Sequence, residues 1–166
     1  MYIPLKISER GCGVSMPGVY LDTSIYIIGL LSADTNSKLL LEEVKKGDIK
    51  VILSDYLFDE ALTWFKSNKG KDCASKVRLY LLSIPKSEII YDLEWSLFMD
   101  KWGSFVADVD DIPHICSYFA GESEYFVTLN RRLTQMQIKD YVNFISPKRF
   151  IEDVCLLDGI DTHKEI

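Results

Sequence analysis

Carboxylates are the side chains best supplied for chemistry in this sequence. The chain has 25 Asp and Glu residues but only two His and four Cys, and no two of the cysteines form a Cys-x-x-Cys pair. A zinc ribbon and a thiol redox site are therefore not encoded, and a histidine-rich metal site is not expected. Carboxylate oxygens are the ligands that hard cations such as Mg²⁺ and Mn²⁺ prefer. The composition therefore favours a site for a hard cation.

Four polar residues from distant parts of the chain stand where a parallel sheet places its ligands. Asp22 and Asn130 directly follow predicted strands. Glu60 lies on the helix after the second predicted strand, and Asp111 begins a later helix. Ligand sites of open parallel sheets lie beyond the carboxyl ends of the strands, so we expect the carboxylates to converge there. Any one of them alone could instead cap a helix or a turn.

Two features of these acids favour a bound cation over simple capping. Glu60 lies close to the apolar side of its predicted helix, where an unpaired carboxylate is costly to bury. Asp108 and Asp111 lie three positions apart near a helix start, and they repel each other unless one is protonated, solvated or bound to metal. A cation between the three regions relieves both costs.

The elements that must position these residues follow from the apolar pattern. Short apolar runs alternate with segments of helical period, which indicates an α/β fold, a three-layer α/β/α sandwich with a mostly parallel central sheet. Strands are predicted at residues 19–21, 49–53, 88–91, 125–127 and 142–145. Helices are predicted from about residue 24, at 35–46, after Ser54, at 77–82, 92–106, 111–120 and 131–138, and from Pro147. Gly47 and Gly121 stand where the C-terminal cap of a helix belongs.

Length and composition set the broad class. A chain of 166 residues is one ordinary domain, and its composition, 48% hydrophobic and 27% charged, is that of a globular protein. We expect no membrane segment, because no run approaches the ~18 apolar residues needed to span a bilayer. Residues 1–10 do not resemble a secretory signal, so the cytoplasm is the expected location. The net charge of −6 argues against general coating of nucleic acid, although a local basic patch remains compatible with it.

Five blocks of the sequence resemble the PIN domain family, which is found in VapC-type toxins and in RNA-processing nucleases. The blocks are Val-Tyr-Leu-Asp-Thr-Ser at 19–24, an apolar strand with a Glu-bearing helix at 52–62, Asp-Val-Asp-Asp-Ile-Pro-His-Ile at 108–115, Tyr-Phe-Val-Thr-Leu-Asn at 125–130, and a Pro-then-helix segment at 145–150. No single block is specific. Their order and spacing over residues 19–154 carry the resemblance.

The resemblance implies a ribonuclease that hydrolyses phosphodiester bonds of single-stranded or looped RNA with Mg²⁺ or Mn²⁺. The metal-binding residues that it implies are Asp22, Glu60 and Asp111, and Glu60 would also hold or deprotonate the attacking water. The polar residues expected to complete or orient this group are Asn130, Asp108, Thr23 and Thr128. Asn130 departs from the family pattern, because this position is often Asp. The fourth group that faces the metal is thus neutral.

The predicted boundaries are an N-terminal extension at 1–17, a PIN domain at 18–157 and a C-terminal tail at 158–166. The expected partners are an RNA substrate, a second copy in a homodimer and, for a toxin, an antitoxin protein. The sequence leaves open whether the enzyme is a toxin or an RNA-processing nuclease. It also leaves open a catalytically idle PIN-like scaffold that binds RNA or protein.

Three further groups of residues are expected to have ordinary structural roles. His114 is expected to be a satisfied core or boundary histidine and not a ligand, since carboxylate chemistry needs no imidazole. Tryptophans 64, 95 and 102 are expected to pack and not to stack on bases. The basic residues that could form a positive rim, or simply an ordinary solvated face, are Lys66, Lys69, Lys71, Lys76, Arg131, Arg132 and Lys139.

Overall fold

One parallel sheet forms the centre of the molecule. A computed structural model of the chain describes residues 16–161. The strands are β1 (Gly18–Leu21), β2 (Lys50–Ser54), β3 (Ser87–Ile90), β4 (Tyr125–Val127) and β5 (Phe144–Ile145). They lie in the order β3-β2-β1-β4-β5, and every neighbouring pair is parallel. Each of the five predicted strands is confirmed to within two residues at either end.

Helices flank this sheet. They are α1 (Thr23–Leu31), α2 (Asn36–Lys45), α3 (Asp55–Lys69), α4 (Lys71–Ser83), α5 (Asp92–Trp95), α6 (Met99–Trp102), α7 (Ile112–Ala120) and α8 (Pro147–Asp153). The central strand β1 is buried along its whole length, and so are residues 51–54 of β2, as expected for strands covered on both faces. The predicted three-layer α/β/α class is confirmed. Within the described part of the chain, no helix has the length and apolar character needed to cross a membrane.

Side-chain caps fix the starts of the helices that border the sheet. Ser54 has an extended backbone, and its hydroxyl accepts from the amide of Leu57 at 3.0 Å, so that α3 begins directly after β2. Thr35 caps α2 in the same way. Ser146 caps α8, in which Pro147 occupies the first turn, where it removes no hydrogen bond. The caps at Ser54 and Ser146 make the turn from strand to helix tight, so residues just after β2 and β5 stay at the sheet edge.

The segment predicted as one helix at 92–106 is broken into short pieces, and that prediction was wrong. Two 3₁₀ turns, Ser96–Phe98 and Gly103–Phe105, interrupt α5 and α6. In this segment tertiary packing overrides the helical propensity of the residues. The buried ring of Trp102 stacks on Phe119 of α7 with a centroid separation of 4.3 Å. A second predicted helix, at 131–138, is likewise two 3₁₀ turns, Leu133–Gln135 and Gln137–Asp140, with Met136 extended between them.

Gly121 follows α7 for a reason that differs from the predicted one. Its φ is −83°, so it is not the left-handed residue of the cap; that conformation falls to Glu122, with φ 51°. A Cβ on Gly121 would lie 2.4 Å from Cγ2 of Ile52 on β2. The glycine therefore permits a close approach between α7 and the sheet. Gly47, by contrast, has the predicted positive φ of 80°.

The predicted domain boundaries stay predictions. Residues 1–15 of the expected N-terminal extension and 162–166 of the expected tail lie outside the described residues. The described part of the tail contacts the domain at α2. There the side-chain amide of Asn36 donates to the carbonyl of Ile160 at 2.8 Å, and its oxygen accepts from the Ile160 amide at 2.7 Å.

Candidate functional site

Asp22 stands at the carboxyl edge of the sheet and is held there by three neighbours, of which Ser24 makes the longest contact, from its hydroxyl to Oδ2 at 3.4 Å. The register pairs Leu21 of β1 with Val127 of β4, so the residues after these strands emerge side by side. Thr128 donates through its hydroxyl to Oδ2 of Asp22 at 2.8 Å. The amide of Thr23 donates to Oδ1 at 2.8 Å, which makes Asp22 the cap of α1 as well. The Asp22 carboxylate is therefore fixed in direction, although no basic side chain forms an ion pair with it in the described chain.

Glu60 lies on the second turn of α3, partly exposed, and contacts a histidine. Its Oε1 is 3.1 Å from Nε2 of His114, a buried residue of α7. Burial by itself raises the pKa of Glu60, but the hydrogen bond to His114 and the field of that imidazole outweigh it and lower the pKa below its ordinary value. Glu60 is therefore ionised throughout the neutral range.

Asp111 occupies the N-cap position of α7 but does not act as a cap. Its side chain makes no capping hydrogen bond with the helix. Burial raises the pKa of Asp111 to about 6, and repulsion from Asp22 and Asp108 adds to this. A carboxylate whose charge is opposed by its surroundings and that bonds no backbone amide is a poor structural element. It is suited to a site that supplies positive charge from outside the chain.

A cleft of about 400 Å³ brings most of the predicted site residues together. Those that line it are Asp22, Thr23, Glu60, Asp111 and Asn130. Thr128 does not line the cleft, but its hydroxyl hydrogen-bonds Asp22, which does. Asp108 is not part of the lining; it is exposed, and its Oδ1 accepts from the amide of Asp110 at 3.0 Å.

Asn130 lines the cleft, but its side-chain oxygen, Oδ1, is hydrogen-bonded within the turn that follows β4. The oxygen accepts from the amides of Arg132 and Leu133 at 3.1 and 3.4 Å. The backbone amide of Asn130 donates to the hydroxyl of Thr128 at 3.0 Å. Asn130 therefore shapes the loop after β4, and the neutral side chain is used as a turn residue.

The cleft fits a cation on several grounds. Carboxylate oxygens of Asp22 and Glu60 lie within 4.8 Å of each other, close enough to share one cation, whereas Nε2 of His114 in the same group faces Glu60. Neither Lys nor Arg is found among the described residues that line the cleft. Negative charge in excess is the feature that a hard cation with its water would balance.

His114 is the site contact that sequence reasoning missed. The expectation of a buried histidine with satisfied nitrogens agrees with its burial and its two hydrogen bonds. Its contact with Glu60 was not expected. The one available signal was the three-residue spacing from Asp111, which places both side chains on the same face of α7.

Neither a protein-family model nor a curated protein matches the sequence. Solved structures do match. VapBC2 from Rickettsia felis, bound to a DNA fragment from its promoter, aligns with a TM-score of 0.57 at 14% identity, over 78% of this chain and 98% of that one. A toxin–antitoxin complex from Klebsiella pneumoniae aligns with a TM-score of 0.57 at 17% identity, over 78% and 97%. This chain has a PIN-type fold.

VapBC-1 from nontypeable Haemophilus influenzae also shares the PIN-type fold, with a TM-score of 0.51 at 15% identity over 78% of this chain and 98% of that one. The resemblance predicted from the five sequence blocks is thus confirmed as a resemblance in fold. Identity this low speaks to architecture and not to activity. What the PIN-type fold does in this chain must be argued from the cleft itself.

Proposed function

We propose that this protein is a metal-dependent endoribonuclease that hydrolyses phosphodiester bonds of single-stranded or looped RNA. The observation that carries the proposal is the cleft in which Asp22, Glu60 and Asp111 meet without a basic side chain among its described lining residues. The raised pKa of Asp111, about 6, supports it, since a cation relieves both the burial of the charge and its repulsion by Asp22 and Asp108.

Each residue has a part in the proposed reaction. Mg²⁺ or Mn²⁺, when bound, supplies positive charge that screens the phosphodiester and makes water more acidic. Asp22 and Asp111 would hold the cation, and Thr128 keeps the Asp22 carboxylate turned toward the cleft. Glu60, ionised and oriented by His114, would hold the attacking water and accept its proton.

The surroundings of the cleft suit a single strand. Trp64 was expected only to pack, and it is partly buried against the core, but it also lines the cleft and offers an aromatic surface on which an unpaired base can stack. A groove of about 1360 Å³ continues from Leu129 and Asn130 and carries Arg131 and Lys139 on its wall. Cationic side chains placed there would hold backbone phosphates on one side of the scissile bond, despite the net negative charge of the chain.

We further propose that the protein acts in the cytoplasm as the toxin of a toxin–antitoxin pair and forms a homodimer. The support is the fold shared with chains of two VapBC assemblies and a toxin–antitoxin complex. Growth arrest on expression of this chain, relieved by co-expression of the product of the adjacent gene, is the expected result. Normal growth at high expression would favour the RNA-processing alternative.

The direct test is cleavage by the purified full chain. Single-stranded RNAs of varied sequence should be cut with Mg²⁺ or Mn²⁺, EDTA should stop the reaction, and duplex DNA should be left intact. Asp22→Asn should abolish cleavage, while Asp34→Asn, which alters an exposed acid outside the cleft lining, should not. An inert parent with both metals on all RNAs would make the idle scaffold the better interpretation.

A further inference from the structure

A buried chain of hydrogen bonds runs behind Glu60 into the core. The hydroxyl of Tyr20 on β1 lies 2.6 Å from Nδ1 of His114 and 3.1 Å from the hydroxyl oxygen of Ser54. The other ring nitrogen, Nε2, faces Oε1 of Glu60 at 3.1 Å. Tyr20, Ser54 and His114 are all buried. Polar groups taken out of water at this depth destabilise a fold unless they are paired, and these contacts pair them in one continuous chain.

The contacts fix where the protons lie. Nε2 and a carboxylate oxygen at 3.1 Å cannot face each other as two acceptors, so a proton stands between them, and a carboxylate that is ionised leaves it on the imidazole. Burial lowers the pKa of His114, but the hydrogen bond to Glu60 and the field of the nearby acids outweigh it and raise that pKa, so the ring is neutral only at alkaline pH. There Nδ1 is an acceptor, and the hydroxyl of Tyr20 is its donor. Ser54, whose oxygen already accepts from the Leu57 amide, donates its own proton to the Tyr20 oxygen.

The ring is also held mechanically. Tyr56 packs edge-on against His114, with centroids 5.1 Å apart and planes at 81°. Tyr20 meets the same imidazole edge-on from the core, with centroids 5.8 Å apart. The imidazole therefore has little freedom to turn, and the direction of its Nε2–H bond is set by the strands and by α3.

We propose that His114 is a positioning residue for Glu60, locked by Tyr20 and Ser54 in the tautomer that carries its proton on Nε2. It binds Oε1 of Glu60 and so leaves Oε2 as the oxygen that meets the attacking water in the cleft. The catalytic consequence rests on the proposed nuclease function, but the tautomer does not. A histidine that bound the cation directly would need a bare Nε2 and would lose the Glu60 hydrogen bond.

The tautomer can be read by NMR without any activity. The chain has two histidines, His114 and His163, so a sample labelled with ¹⁵N at histidine gives two imidazoles, and a His163→Gln sample assigns them. Long-range ¹H–¹⁵N spectra at mildly alkaline pH should show His114 with a protonated Nε2 and a bare Nδ1. Tyr20→Phe should mix the two tautomers. A proton on Nδ1 in the parent would overturn the proposal, and so would direct coordination of Nε2 when Zn²⁺ is added.

Kinetics separate positioning from packing. Tyr20→Phe should lower kcat by about 10- to 100-fold with little change in KM or in Mn²⁺ affinity. Tyr26→Phe is the matched control, because Tyr26 is equally buried and its hydroxyl has no hydrogen-bond partner within residues 16–161. It should behave like the parent. An equal loss in both variants would show that only packing matters and would overturn the role.

The His114 variants give an independent check. His114→Gln keeps an N–H donor and should retain part of kcat, whereas His114→Leu should retain much less. Equal kcat in the two variants would overturn the role, as would a large loss of Mn²⁺ affinity in His114→Gln, which would mark a ligand. If the parent cuts no RNA at all, the nuclease proposal fails by itself and the NMR result still decides the tautomer.

Discussion

The hydroxyl of Thr128 donates a 2.8 Å hydrogen bond to Oδ2 of Asp22, and this bond joins the residue after β4 to the residue after β1. The two strands are in register, with Leu21 opposite Val127, so the bond spans the carboxyl edge of the sheet. Thr128 is buried. The direction of the Asp22 carboxylate is therefore set by a neighbouring strand, which keeps its negative charge available to the cleft.

Thr128→Val removes this donor while keeping the shape of the side chain. The same change also removes the acceptor of the Asn130 amide, so we expect the metal-free protein to lose about 2 kcal/mol of unfolding free energy, roughly 1 kcal/mol for each hydrogen bond. Affinity for Mn²⁺, measured by calorimetry, should fall about 10-fold because Asp22 can rotate. Thr134→Val is the control, since Thr134 donates to a backbone carbonyl at 2.8 Å and does not line the cleft. A similar loss of affinity in the control would contradict the assigned role.

Asp111→Asn tests the charge of the cleft. The substitution keeps size and polarity, and no helix cap is lost because the parent side chain makes none. RNA cleavage and Mn²⁺ affinity should both drop sharply, with kcat down by about 100-fold or more if charge stabilisation drives the reaction. The melting temperature in EDTA should hold or rise, because repulsion with Asp22 and Asp108 is removed. Asp59→Asn, which alters an exposed acid beside Glu60 in sequence, should change neither quantity.

Local pattern was enough to predict the sheet and the two polar residues that directly follow its strands. Each strand is a short apolar run, and the rule that parallel sheets carry ligands at their carboxyl ends picked out Asp22 and Asn130 directly. The contact between Glu60 and His114 joins residues 54 positions apart. It depends on how α3 and α7 pack on the sheet, which no local pattern records.

The broken segment at 92–106 shows the same limit. Its residues have adequate helical propensity, and Leu93 and Leu97 repeat at helical spacing. Both point into solvent, whereas Trp102 is buried against Phe119. Trp102 is buried because it packs on α7, where Phe119 stacks against its ring. The sequence of the segment alone does not contain that information.

Gly121→Ala tests the close approach of α7 to β2. The new Cβ would meet Cγ2 of Ile52 at 2.4 Å, so side chain or helix must shift, at a cost of about 1–3 kcal/mol in unfolding free energy. Gly103→Ala is the matched change. The nearest atom to its Cβ would be Cδ1 of Ile112 at 3.9 Å, an ordinary contact. Chemical denaturation should separate the two variants, and equal midpoints would contradict the packing argument.

The proposed homodimer has a candidate surface. Leu93 and Leu97 are 81% and 79% exposed and lie one helical turn apart on the segment that packs on α7. Exposed apolar side chains in a group mark association surfaces more often than isolated ones do. Sedimentation should show a dimer for the parent and a monomer for the Leu93→Glu, Leu97→Glu double variant. A parent that remains monomeric at high concentration would remove the dimer from the proposal.

The pKa of Asp111 predicts how the stability of the metal-free protein depends on pH. Burial and the neighbouring acids raise this pKa from 3.8 to about 6 in the folded chain. The folded state therefore binds the Asp111 proton more tightly than the unfolded state does. The resulting stabilisation is complete below pH 3.8 and is lost as the pH rises through about 6.

The comparison that isolates Asp111 is parent against Asp111→Asn, because His114 and Glu60 titrate in both proteins. In EDTA, the melting temperature of the parent should fall relative to the variant between pH 4 and 6, the interval set by the ordinary and raised pKa values. In Mg²⁺ or Mn²⁺ the trend should reverse. The cation binds the ionised carboxylate, so the stabilisation that metal adds to the parent should grow over the same interval and stay small in the variant. If the melting temperatures of the two proteins change with pH in the same way, with and without metal, then the charge of Asp111 is not destabilised in the folded chain and Asp111 holds no cation.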